Sequence, residues 1–320
     1  MQLIIIVIVG SVLGFIYGSY TDGFIFSSDI CLFAGLTLIM PSLFNFRFRD
    51  VRLVWEYRSI LFKGMLVNYL LLPLFAMGIG LATQDFGIAA GLFLVSVLSG
   101  GGMVMHWIKK SGADTSFGFL LLFANLVFVS LSMLMLHTFA TYSAGYFNVT
   151  YDEEISIERF AEEVIILLII IPFFASRVVL LVKPLEEKIW KYKKLISQSS
   201  IFIILFYLFG LQNTQLLVDI YDFEPELFLV AFGAVLLFYL LTYLASRWIY
   251  DLDSPQERAA FWHSITRYLT LALVLSTFSL NAFGVSMLLP IMYSYIVQIP
   301  LAVYVNKCQV PPRCSTLSKA

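Results

Sequence analysis

Charge is scarce in this sequence. Asp, Glu, Lys and Arg together make up 13% of 320 residues, about half of the roughly 25% found in an ordinary soluble domain. Cysteine and histidine are scarcer still, with three of each. Cys31 stands in an apolar run, and Cys308 and Cys314 stand near the end, a scatter that makes no disulfide framework. No two histidines share the i, i+4 spacing of a helical metal site. No glycine-rich phosphate loop, Gly-x-Ser-x-Gly or His-Glu-x-x-His is present, which argues against ATP-driven transport on this chain and against the familiar hydrolases. Basic residues do not cluster beside aromatics in a soluble segment, so no nucleic-acid partner is expected.

What is abundant is apolar surface, at 60% of residues. A bilayer accounts for it, since a span needs roughly 20 apolar residues. Ten runs can be placed, at about 2–20, 29–46, 60–82, 86–108, 115–139, 160–182, 199–218, 226–249, 258–280 and 283–305. The run after Leu3 lacks a basic start and a small-residue cleavage site, and is expected to be a retained first helix. Barrel-type alternation is missing, so the spans are expected to be helices. The seventh is the weakest, because Gln212-Asn213-Thr214-Gln215 interrupts it.

The basic residues test this count. Eighteen of the twenty fall in the loops after spans 2, 4, 6 and 8 and in the tail, from Arg47 and Arg49 through Lys109, Lys110 and Lys193 to Lys319. The loops after spans 1, 3, 7 and 9 have none. Both termini are therefore expected on the cytoplasmic side of a plasma membrane, or of the inner membrane in a Gram-negative cell. Acidic residues gather on the other side, at Asp152, Glu153, Glu154, Glu158, Glu162 and Glu163 and again at Asp219, Asp222, Glu224 and Glu226. That face reads either as a solvated loop surface or as an external vestibule attracting cations.

Two sets of five spans divide at 1–150 and 151–320, within one transmembrane domain. Five is odd, so the halves enter the membrane with opposite orientation, the plan of inverted-repeat transporters. Irregularities fall at matching places. Span 4 holds Gly100-Gly101-Gly102, each costing about 1 kcal/mol against Ala in a helix interior, which points to an unwound break. Span 9 holds Thr266-Arg267-Tyr268-Leu269-Thr270, and no Asp or Glu lies in any span interior to answer Arg267. A charge at that depth costs roughly 2.5–3.5 kcal/mol. Arg267 reads either as glue bonded to backbone carbonyls or as a contact for an anion. Asn68, Asn125 and Gln298 are amides inside spans, suited to bonding across helices or to ligating a cation.

Three stretches resemble the arsenite efflux permease family within the bile acid/sodium symporter superfamily. They are Gly35–Ser42 continuing to Leu66–Pro73; Gly102-Met-Val-Met-His-Trp107 with Gly112-Ala-Asp114 and Asn125; and Thr266–Leu273 with Pro290 and Gln298-Ile-Pro300. The resemblance implies ten helices in two inverted five-helix repeats, with helices 4 and 9 discontinuous and crossing. It also implies export of arsenite, often against protons, or in distant relatives sodium-linked movement of organic anions. The sequence departs from the arsenite pattern at three points. Gly100 stands where a thiol is expected, Tyr268 where Asn is expected, and Gln298 where an acid is expected.

The expectation is a secondary transporter rather than an enzyme, moving a small anionic or polar solute. Sodium or protons are the coupling ions, no cofactor or metal is expected, the partners are lipid and solute, and the oligomeric state is open. The substrate or ion site is expected at Arg267, Gly100, Gly101, Gly102, Asn68, Asn125, Gln298, Tyr268 and Thr266. Arsenite efflux is the alternative of the same class. The alternatives of another class are an intramembrane enzyme built on His106, His137 and His263, or a membrane sensor.

Overall fold

The computed structural model describes residues 2–25, 27, 29–44, 52–101, 103–151, 166–211 and 225–308. Gly102, most of the acidic loop 152–165, residues 212–224 with the polar interruption of span 7, and the tail with Cys314 lie outside the described residues. The described elements are helices, apart from two isolated backbone bridges.

In chain order these are α1 (Gln2–Tyr20), α2 (residues 29–43) and α3 (Arg58–Thr83), then the two pieces of span 4, α4 (Phe86–Val97) and α5 (Val104–Ser111). Span 5 is α6 (Thr115–Val127) and α7 (Val129–Ser143), followed by α8 (Ile171–Leu181), α9 (Lys183–Phe209) and α10 (Pro225–Ile249). Span 9 is α11 (Pro255–Ile265) and α12 (Leu269–Phe283), and α13 (Leu288–Cys308) completes the set. Three of these helices are long and apolar enough to cross a bilayer alone, or four if the bent pair α6–α7 is one span. α9 is as long, at 27 residues, but its first half is heavily charged, while spans 4 and 9 are divided by breaks into shorter pieces.

Local chemistry explains many of the breaks. The wide turns Gly35–Ile39, Val67–Leu71 and Ile166–Ile170 each end two residues before a proline, at Pro41, Pro73 and Pro172. A proline ring collides with the carbonyl four residues back and brings no N–H, and a widened turn relieves both problems. Helix starts are capped where the sequence supplies an acceptor. Asp85 takes the N–H of Ile88 at 2.7 Å and Asp114 that of Phe117 at 3.0 Å. Ser254-Pro255-Gln256-Glu257 opens α11, with Ser254 Oγ accepting from the Glu257 N–H.

Two differences from the sequence reading stand out. α9 begins at Lys183 rather than near 199, because Lys183-Pro184 is a good helix start and the basic stretch after it continues the same helix. Span 5 bends by 50° at Phe128, where no Pro or Gly stands. Polar side chains on either side of the bend reach span 4 instead. Asn125 Nδ2 donates to Ser99 Oγ at 2.7 Å, and Ser132 Oγ to the Val97 carbonyl at 3.3 Å.

Packing sorts the spans into two groups. α1, α2, α8 and α9 pack on one another, while α3 to α7 pack with α10 to α13. The groups meet through α1 with α13 and α9 with α12. Tyr20, Ile25, Phe174 and Trp248 are among the large apolar side chains left exposed, as expected where lipid rather than water is the surroundings. The chain is a multi-pass membrane protein.

Candidate functional site

Spans 4 and 9 cross where both are unwound. α4 stops at Val97, and Leu98 is extended. α11 stops at Ile265, and Thr266 is extended. The two extended pieces pair antiparallel. The Gly100 N–H donates to the Thr266 carbonyl at 2.8 Å, and the Tyr268 N–H to the Leu98 carbonyl at 3.0 Å. Backbone groups freed by breaking each helix are thus satisfied by the other, as membrane depth requires. Four helix ends converge here, the C-termini of α4 and α11 and the N-termini of α5 and α12.

Arg267 occupies the C-terminal side. Its side chain is 2% exposed. NH1 donates to Asn68 Oδ1 at 2.7 Å and to the Ser96 carbonyl at 2.8 Å. NH2 donates to the carbonyls of Ser264 at 2.9 Å and His263 at 3.3 Å. Ser96 is in the last turn of α4, and His263 and Ser264 are in the last turn of α11. The guanidinium therefore bridges the negative ends of two helices, which do for it what a carboxylate would otherwise do. Asn68 lies in the widened turn of α3 and completes the arrangement by donating to the Val97 carbonyl at 3.0 Å.

Gln298 holds the other edge of the same backbone. Its Oε1 accepts the Arg267 N–H at 2.6 Å and the Tyr239 hydroxyl at 2.9 Å, while Nε2 donates to the Arg267 carbonyl at 3.4 Å. A carboxylate at this position has no hydrogen to give that carbonyl, so the amide suits the place. Thr266 Oγ1 turns back onto the Trp262 carbonyl.

The glycines admit neighbouring rings. Gly100 has φ +50, and a Cβ there would run into the His263 ring. At Gly101 a Cβ would sit 2.6 Å from Cδ2 of Tyr268. Two side chains of span 9 thus fill the space that span 4 leaves open, His263 at Gly100 and Tyr268 at Gly101. Asn68, Gly100, Gly101, Asn125, Thr266, Arg267, Tyr268 and Gln298 all come together at the crossing.

Sequence reasoning did not single out Ser96, Ser99, Ser132, Tyr239 or His263 for this place. His263 carried a signal in its spacing, one helical turn before Arg267. It is 3% exposed, and its Nε2 lies 2.9 Å from the Gly118 carbonyl. His106 is exposed and set edge-on to Trp107, and His137 bonds to the Tyr151 hydroxyl at 3.1 Å. The three imidazoles thus have different partners, whereas an enzyme built on them needs them together. Among the described residues no group of three His, Cys, Asp or Glu side chains is placed to hold a metal ion.

Beside the crossing lies a cavity of about 20 Å³, walled by Ser99, Asn125, His263 and Ser264 together with apolar residues of α3, α6 and α11. That is room for one water molecule or an ion of its size.

A family model described as the Sodium Bile acid symporter family matches residues 32–219, from span 2 through the break in span 4 to the end of span 7. No curated protein matches the sequence.

Proposed function

Since the chain belongs to the sodium bile acid symporter family, we propose that it is a secondary active transporter carrying a small anionic or polar solute, coupled to sodium or protons, with the site at the crossing of spans 4 and 9. One observation carries this reading: the antiparallel backbone pair at Gly100–Thr266 and Leu98–Tyr268, with four helix ends around it. Arg267 and Asn68 take up the carbonyl ends of α4 and α11. The positive N-terminal ends of α5 and α12 remain to favour an anion.

The packing supports a two-body mechanism. Each half of the chain gives its first two spans to one group and its last three to the other. We read this as two inverted five-span repeats, with both termini cytoplasmic, whose two groups rock against each other around a site held in the larger one. Arsenite efflux is the second reading, favoured by the motifs around Asn68, Gly102 and Pro300. Against it, position 100 has no room for a thiol while His263 stands there.

The test is uptake and efflux in proteoliposomes, with arsenite and a panel of organic anions, under sodium and proton gradients imposed separately. Gradient-driven movement of an anion supports the proposal. Arsenite efflux alone supports the second reading, and the absence of any solute flux under either gradient refutes both.

A further inference from the structure

Away from the crossing, the start of α3 carries a cation that the fold leaves unanswered. The short helix Arg52–Glu56 leads up to it and breaks at Tyr57, whose ring lies 5.6 Å from that of Phe117 in α6. Val54 and Tyr57 both pack against the core, which holds the short helix beside the first two turns of α3. An open groove of about 470 Å³ runs there, walled by Val54, Arg58, Ser59, Leu61, Phe62 and Met65.

The basic residues around this end of α3 are unevenly answered. Lys63 is paired with Glu257 at 2.9 Å, and Arg258 donates to the carbonyls of Leu252 and Ser111. Arg58 is exposed, and among the described residues no carboxylate pairs with it. Glu56, the carboxylate of the short helix, is not in the groove wall. From Arg58 onward, Phe62, Leu66, Leu70 and Leu74 follow at intervals of four, and all are exposed. Trp55, on the short helix, is 76% exposed.

We propose that this groove binds an anionic phospholipid, with the phosphate on Arg58 and Ser59 and an acyl chain along Phe62, Leu66 and Leu70. The site stands apart from the crossing and does not depend on the transport reading. α3 is long and apolar enough to cross a bilayer, and Arg58 is its first residue. From Arg58 to Met65 the helix advances about 10 Å, the depth that separates headgroups from the outer hydrocarbon. A guanidinium offers phosphate oxygens a fixed fork of donors. A free phosphate would gain nothing from Phe62, Met65 and the apolar stripe below them, whereas a lipid chain fills them. Trp55 suits the same level, since tryptophan settles at the headgroup boundary. A zwitterionic headgroup brings its own cation towards Arg58, so the groove favours a lipid with net negative charge.

The test uses the full chain in phosphatidylcholine nanodiscs doped with lipid brominated along its acyl chains, either phosphatidylglycerol or phosphatidylcholine. Bromine quenches tryptophan on contact, and the difference between wild type and Trp55→Phe isolates the Trp55 signal. Half-quenching is expected at about fivefold lower mole fraction of phosphatidylglycerol, the effect of one basic residue at a lipid surface. Arg58→Gln should remove that preference and Arg58→Lys should keep most of it. Arg247→Gln, at the end of another span, should leave it intact. Equal quenching by the two lipids in wild type means an ordinary lipid annulus and overturns the proposal. A preference that survives Arg58→Gln, or that falls as much in Arg247→Gln, means diffuse attraction and overturns it too. In a further arm, inorganic phosphate replaces chloride at equal ionic strength. Complete loss of the preference there means that the groove takes a free anion, and the lipid assignment fails. Arg58 is exposed, so Arg58→Gln should unfold at the wild-type temperature in plain phosphatidylcholine. If it does not, Arg58→Lys, which keeps the charge, decides between lost lipid and lost structure.

Discussion

Gly100→Ala tests the crossing directly. The residue has φ +50, a conformation that costs an L-residue about 1–2 kcal/mol. The added Cβ also meets the buried His263 ring, and overpacking of this kind costs about 1–3 kcal/mol. Together these predict a loss of roughly 2–5 kcal/mol, a large part of the roughly 5–15 kcal/mol that holds a typical fold. The two contributions separate in a double-mutant cycle with His263→Ala, read by thermal unfolding in nanodiscs. Removing the ring should abolish the steric share, so Gly100→Ala should cost about 1–3 kcal/mol less in the His263→Ala background. What remains there is the backbone share. A neutral Gly100→Ala, or strictly additive single changes, would refute the argument that Gly100 exists to admit His263.

Three further outcomes are expected. Arg267→Ala should abolish transport while membrane insertion, read by protease accessibility, persists; Arg267→Lys should not restore it, because a point charge cannot reach Asn68 and three carbonyls on two helices at once. Gln298→Glu should weaken the crossing by losing the donor to the Arg267 carbonyl, seen as a lower unfolding temperature than wild type at neutral pH. Lys193, in the basic first half of α9, donates to the Pro41 carbonyl and lies 4.8 Å over the Trp190 ring. Burial, helped by nearby Lys109, lowers its ammonium from 10.5 to about 8. The unfolded chain then binds more protons between those values, so stability should rise as pH goes from about 8 to 10.5, and Lys193→Gln should flatten that rise.

Much of the crossing of spans 4 and 9 was legible in the sequence. Gly100 and Gly101 marked one break because glycine is costly in a helix, and Arg267 marked the other because an unanswered charge is costly in a bilayer. Asn68, Asn125 and Gln298 were visible as amides in apolar runs. The bend at Phe128 was not visible, since no Pro or Gly marks it and its partners Ser99 and Val97 lie in another span. The early start of α9 was hidden by its lysines, which read as loop by charge and fold as helix by propensity.

Composition and basic-residue placement determined by themselves that the chain is helical and crosses a membrane many times, because the hydrocarbon core tests every residue along a span against one simple solvent. Only the tertiary structure decided what Arg267 and His263 touch. Arg267 is answered by the carbonyl ends of α4 and α11, and backbone carbonyls leave no mark in a sequence. His263 owes the place of its ring to the absence of a side chain at Gly100, far away along the chain. Contacts of that kind depend on how two broken helices cross, and a linear pattern of polarity does not record an angle between spans.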